Sequence, residues 1–224
     1  MWVAKSFLQK INSQYNGQIK VYKQFGRVQM EAGGLLQSGG VLKNIWKKAL
    51  KKSILSDHSP VKSLKVLILG LGAGTLAQLI SKKWPQAKIT GVEIDPQVIK
   101  IGQKYFDLNK INQLTIINQD AFKFIEKTQL KYDLIFVDLY QGDKFPGQAQ
   151  TPDFFHQLKS SLLANGLVVF NHLFWGNHKK SAEKFIRQLE QVFSCVELKR
   201  SLCNLMIYAS CQLSPREKDL KRLK

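Results

Sequence analysis

Three carboxylates carry most of the chemistry legible in this chain: Glu93, Asp120 and Asp138. Each lies at or just beyond the end of a short apolar run, as in Leu134-Ile135-Phe136-Val137-Asp138. An ionised carboxylate is acceptor-only and has two oxygens, so it can take two O–H donors at once, hold a cation or remove a proton. A glycine-rich stretch accompanies them, in which Val66-Leu67-Ile68-Leu69 runs into Gly70-Leu71-Gly72-Ala73-Gly74-Thr75. Glycine lets the backbone turn tightly or come close to a ligand. The dinucleotide fingerprint, G-x-G-x-x-G, wants a glycine where Thr75 stands.

The G-x-G-x-G spacing fits a loop holding a nucleoside and an amino acid, as in S-adenosylmethionine sites, better than a pyrophosphate loop. A plain strand-to-helix turn is the alternative. Glu93 is placed to accept both ribose hydroxyls of a nucleoside over that loop. Asp120 can accept from an adenine amino group while the Ala121 N–H donates to a ring nitrogen, or it can cap the following helix. Both can hold at once. The segment Asp138-Leu139-Tyr140-Gln141-Gly142-Asp143 would face a reactive sulfur, with Asp138, Tyr140 and Asp143 as the catalytic candidates. A sulfonium carries its own leaving group, so the protein must align a nucleophile and, for an amine, take a proton. Asp138 can do this or hold a cationic nitrogen, and Tyr140 offers a ring face or a hydroxyl. Gly142, Pro146 and Gly147 suit a loop that closes over substrate.

The elements that must position these groups follow from periodicity. From residue 61 the rhythm is strand, helix, strand, helix, which implies a parallel sheet with helices on both faces. The predicted strands are 65–69, 88–93, 114–117, 132–138 and 167–171. The helices are 75–83, 96–105, 122–127, 152–161 and 179–192. Asp95 can cap the second of these helices, and Pro96 fits its first turn. Segments 196–199 and 205–209 read as a closing pair with an antiparallel last strand. Before this domain, 18–22 and 28–32 alternate around Phe25-Gly26-Arg27 and predict a small hairpin sheet, extended by 35–37. Residues 1–13 predict only a short, weakly specified element. Ser38 is the expected N-cap of an amphipathic helix over 41–55, apolar on one face and lysine-rich on the other. Residues 56–60 read as a linker, with His58 a loop residue. The expected division is a strand-and-helix region over 1–58, a Rossmann-like domain over 59–212 and a basic tail over 213–224.

The formal net charge is +18 and 44% of residues are hydrophobic. The charge allows a nucleic-acid partner but does not favour one, because lysine far outnumbers the bidentate arginine and is spread along the chain. No apolar run approaches the about 18 residues of a membrane span. There is no signal-peptide apolar segment. Cys195, Cys203 and Cys211 lack metal-ligand or C-x-x-C spacing, so no metal is expected. They read as reduced, mostly buried thiols of a cytoplasmic protein.

Taken together, Tyr15-Asn16-Gly17-Gln18-Ile19-Lys20-Val21, Gly33-Gly34-Leu35-Leu36-Gln37-Ser38-Gly39, the 69–74 loop, Gly91-Val92-Glu93-Ile94-Asp95-Pro96, Asp120-Ala121 and Tyr132–Val137 with Asp138 resemble the spermidine synthase-like family. That family lies within the class I S-adenosylmethionine-dependent methyltransferase fold. The resemblance implies an α/β architecture: a Rossmann-like seven-stranded methyltransferase sheet preceded by a small N-terminal β-hairpin domain. It implies a transferase using S-adenosylmethionine or its decarboxylated form, with a small-molecule acceptor and a possible homodimer. It puts Glu93 and Asp95 with the ribose end, Asp120 and Ala121 at adenine, and Gly70, Gly72 and Gly74 around the amino-acid side. Gln37 falls near the cofactor tail, and Asp138 is the base. Two departures favour methyl over aminopropyl transfer. The family's Asp-Ser-Ser/Thr-Asp-Pro segment is Asp138-Leu139-Tyr140-Gln141-Gly142-Asp143 here. The helix after Gln37 is rich in lysines that would repel a polycation. Polyamine aminopropyl transfer is the alternative, and a non-catalytic basic binding module is a second one.

Overall fold

The computed structural model describes residues 5–51 and 63–211. The linker over 56–60, the tail and the boundaries at 58 and 212 lie outside them, as do residues 52–55 of the helix placed at 41–55, which within the described residues already ends at Ala49. Four strands open the chain: β1 (Ser6–Ser13), β2 (Gly17–Gln24), β3 (Arg27–Ala32) and β4 (Leu35–Gly39). They form one antiparallel sheet in chain order. The weak element expected over 1–13 is thus a full edge strand. Its side chains are mostly exposed, so little burial marks the sequence.

Helix α1 (Gly40–Ala49) turns the chain toward the main domain. There β5 (Lys65–Leu69), α2 (Thr75–Lys83), β6 (Lys88–Glu93), α3 (Pro96–Tyr105) and β7 (Leu114–Asn118) build one half. The other half is α4 (Ala121–Lys127), β8 (Tyr132–Val137), α5 (Pro152–Ser160), β9 (Leu162–Leu173) and α6 (His178–Glu190). The hairpin β10 (Cys195–Ser201) and β11 (Asn204–Ser210) ends the described chain. The seven strands lie in the order β10-β11-β9-β8-β5-β6-β7. β11 pairs antiparallel with β9 and β10, and the rest are parallel. The fold is therefore the expected α/β arrangement with a small antiparallel sheet in front.

The central strands are apolar throughout because helices cover both faces. Val66 and Ile68 pack on one side, and Leu67 and Leu69 on the other. The small sheet joins the same body. Ile19, Val21, Met30 and Ala32 pack on Ala73, Val98, Ile101 and Phe106. The chain builds outward from β5 in one direction and from β8 in the other. Strand order reverses between them, which opens a crevice at their carboxyl ends. The loops leaving β5 and β8 begin there, at Gly70 and Asp138.

Candidate active site

Two adjoining clefts occupy that crevice. Asn16, Gly70, Glu93, Asp138 and Tyr140 line both. The first also takes in Gln37, Leu42, Trp46 and Asn171, and the second Ile94, Asp120, Ala121, Leu139 and Pro146.

The glycine turn is held in shape from several sides. Gly70 has φ +86°, and a Cβ there would fall 2.3 Å from the Asp138 carbonyl oxygen. Gly74 has φ +93° and abuts Leu108, so that glycine serves packing and lines neither cleft. Gly72 donates its N–H to Glu93 Oε2 at 2.8 Å. Ser38 was expected to cap α1. Gly39 occupies the cap position instead, without a side-chain bond. Ser38 Oγ accepts the Ala73 N–H at 3.2 Å, and the Gly39 N–H donates to Thr75 Oγ1 at 3.1 Å. A buried loop N–H in need of a partner outweighs the local cap.

Glu93 turns toward this loop and retains 8% exposure. Oε1 accepts the Asp95 N–H at 3.0 Å while Oε2 takes Gly72. Burial raises its pKa above the usual carboxylate range, opposed by those two N–H bonds. Asp95 was grouped with the cofactor ligands. Its carboxylate is spent elsewhere: it caps α3 through Gln97 N at 2.9 Å and accepts from Ser13 Oγ and, at 2.6 Å, Asn16 Nδ2. It lines neither cleft. Asp120 caps α4 with Oδ1, at 2.8 Å from Phe122 N and 3.1 Å from Lys123 N, and still borders the second cleft beside Ala121.

Asp138 stands where the two clefts meet. Oδ2 accepts the Trp46 indole N–H at 3.2 Å, and Oδ1 accepts Asn171 Nδ2 at 2.9 Å. Asn171 Oδ1 in turn accepts Asn204 Nδ2 at 2.7 Å. Burial raises the Asp138 pKa, and the Asn171 and Trp46 bonds oppose the rise. A carboxylate so placed is a better base than an exposed one. Tyr140 is held by its hydroxyl, which accepts the Leu173 N–H at 2.7 Å. Burial pushes this phenol above its ordinary pKa, so it stays neutral and works as a donor or a wall. Asp143, expected among the catalytic groups, lines neither cleft. Gln141 and Lys144 exchange backbone hydrogen bonds at 3.1 Å, and this tight turn throws Asp143 outward, 3.9 Å from His178 Nε2. Gln37 Nε2 reaches the Gly142 carbonyl at 3.4 Å, and the Phe145 ring packs on Tyr140, His172 and Phe185, which seats this loop beside the cleft.

Sequence reasoning missed Asn16, Trp46, Asn171 and Asn204 as site residues. Asn171 carried a usable signal, a polar residue closing the apolar run Leu167-Val168-Val169-Phe170 as the acids close theirs. Two further expectations need correction. The lysines of α1 do not face the site: Lys43, Lys47 and Lys48 are exposed, and Leu42 and Trp46 line the cleft. Among the described residues, no Lys, Arg or His lines either cleft. Cys203 and Cys211 are exposed rather than buried.

A family model, the spermine/spermidine synthase domain, matches residues 44–215. The chain belongs to this family. A polyamine aminopropyltransferase of Neisseria meningitidis is 30% identical over 159 residues, which cover 70% of this chain and 59% of that protein. An eEF1A lysine and N-terminal methyltransferase homolog of Drosophila melanogaster is 29% identical over 115 residues, 47% of this chain and 17% of that protein. The chain thus spans less than two thirds of the length of these curated relatives. The crystal structure of a probable spermidine synthase from Corynebacterium glutamicum superposes with a TM-score of 0.80 at 19% identity, covering 96% of this chain and 85% of that one. That likeness is one of fold. Within this synthase-domain fold no helix among the described residues is long and apolar enough to cross a membrane.

Proposed function

We propose that the protein transfers an aminopropyl group from decarboxylated S-adenosylmethionine to an amine. The observation that carries this reading is the charge of the site. In a chain of net charge +18, both clefts are lined by carboxylates and neutral groups alone among the described residues. Such a site attracts cations and offers no side-chain cation to a substrate carboxylate. This supports the decarboxylated form over intact S-adenosylmethionine, and with it aminopropyl over methyl transfer. The family match and the aminopropyltransferase relative support the same choice.

The residues present fit an adenosine. Glu93 accepts the Gly72 and Asp95 N–H groups, and the four acceptor directions of a carboxylate leave capacity for a ribose hydroxyl. Ile94, Leu139 and Pro146 give the second cleft apolar walls for a base, and Asp120 with the Ala121 N–H stands at its edge. Gln37 Oε1 is an acceptor for the tail amine, its Nε2 being used on Gly142. The bound sulfonium supplies the electrophilic carbon and the leaving group. Asp138 binds the acceptor nitrogen, aligns it and takes the proton it loses, while Trp46 and Asn171 fix the carboxylate's orientation.

Methyl transfer is the second reading, favoured by the Drosophila relative and by the absence of the Asp-Ser-Ser/Thr-Asp-Pro segment after β8. Isothermal titration with both cofactor forms, followed by mass spectrometry of the products, separates the two. The expected result is at least about tenfold tighter binding of the decarboxylated form, an affinity difference of about 1.4 kcal/mol, and an aminopropylated product. Tighter binding of the carboxylate-bearing form with a methylated product would overturn it.

A further inference from the structure

The acceptor side of the site shows an imbalance of charge. Among the described residues, three carboxylates line the two clefts: Glu93, Asp120 and Asp138. The inference below rests on the reading just given, in which the first two serve the nucleoside. Glu93 is committed to the glycine turn and Asp120 to the start of α4. Asp138 is then the one carboxylate left for an amine. Beyond it the first cleft is walled by Met30, Leu35, Leu36, Leu42, the Trp46 indole and Leu173. Its remaining polar side chains are all neutral, and the amide nitrogens of Asn16, Asn171 and Asn204 are used in hydrogen bonds within the protein.

From this we infer that the acceptor is a monoamine with an apolar arm, an alkyl- or arylalkylamine, rather than a diamine. One ammonium finds one carboxylate, and the arm lies against Leu36, Leu42 and Trp46. Among the described residues a second ammonium would find only neutral acceptors and apolar walls, with no carboxylate to offset its desolvation, which is costly. In the transfer, Asp138 takes one proton from the bound ammonium, and the freed nitrogen lone pair bonds to the propyl carbon attached to sulfur as that carbon–sulfur bond breaks. The electron pair of the broken bond goes to sulfur, giving the neutral thioether.

The test uses the full chain with decarboxylated S-adenosylmethionine. Hexylamine and 2-phenylethylamine are compared with 1,4-diaminobutane and 1,3-diaminopropane. Products are identified by mass spectrometry, and amine binding is measured by calorimetry in the presence of the thioether product. The expected result is a monoamine preference of at least about tenfold in kcat/KM, with matching binding heats. Leu42→Glu, which sets a second carboxylate in the apolar wall, should shift this ratio toward the diamines by about tenfold or more. If the unchanged chain uses diamines equally well or better, the inference is overturned and aminopropyl transfer stands. If neither amine class is modified although the cofactor binds, aminopropyl transfer itself falls.

Discussion

Asp138 lies between two donors, the Trp46 indole and the Asn171 amide, and this sets its behaviour. Burial disfavours its charge, and the two hydrogen bonds restore part of it. Asp138→Asn removes the base and places an amide hydrogen against a neighbour that also donates. Turnover should fall by about 10²–10⁴, measured as kcat with cofactor affinity followed separately by calorimetry. Asn171→Ala is a gentler probe. Asp138 must be ionised to accept a proton, so the rate falls as pH drops through its pKa. The Asn171 bond favours the ionised form, so its loss raises that pKa. The acid limb of the kcat profile should therefore move to higher pH, and a pH–rate profile checks the direction. The acids at strand tips were legible because charge at the end of an apolar run is conspicuous. Asn171 closes an apolar run in the same way but bears no charge to draw the eye, and Asn204 was not legible because its pairing with Asn171 joins positions 33 residues apart.

At the scale of elements, the site depends on close approach between the loops leaving β5 and β8. Gly70→Ala drives a methyl group into the Asp138 backbone at a positive φ. It should cost on the order of 3 kcal/mol of stability and lower activity, because the displaced residue is the base. Gly147→Ala has nothing within 4 Å and no left-handed φ, so its effect should stay within about 0.5 kcal/mol. Urea melts of the two variants give the comparison. The parallel core was readable because strands buried on both faces leave unbroken apolar runs, and the helices between them leave a clear period. Ser38 was misread because local capping logic could not foresee Ala73, which lies far along the chain. Periodicity likewise gave α1 one lysine face and one apolar face, but it could not tell which would meet the cleft.

The whole molecule combines a strongly basic exterior with acid-lined clefts. A net charge of +18 repels itself in the compact state. Screening should relieve this, so the melting temperature should rise between about 0.01 M and about 0.15 M ionic strength, where the Debye length shrinks from about 30 Å to about 8 Å. Calorimetric scans across that range test it, and a flat or falling trend would show that the charges are balanced locally. The small sheet belongs to this same body through its apolar packing on α3 and the Asp95 tether. The line from Asp138 through Asn171 to Asn204 has a direction. Asn204 fixes the Asn171 oxygen, so the nitrogen must point at Asp138, and the indole on the other side cannot accept. A hydrogen ion picked up at that carboxylate therefore has no inward relay. It must depart by the mouth through which the reactants came, which makes clearing the cleft and resetting the catalyst a single event.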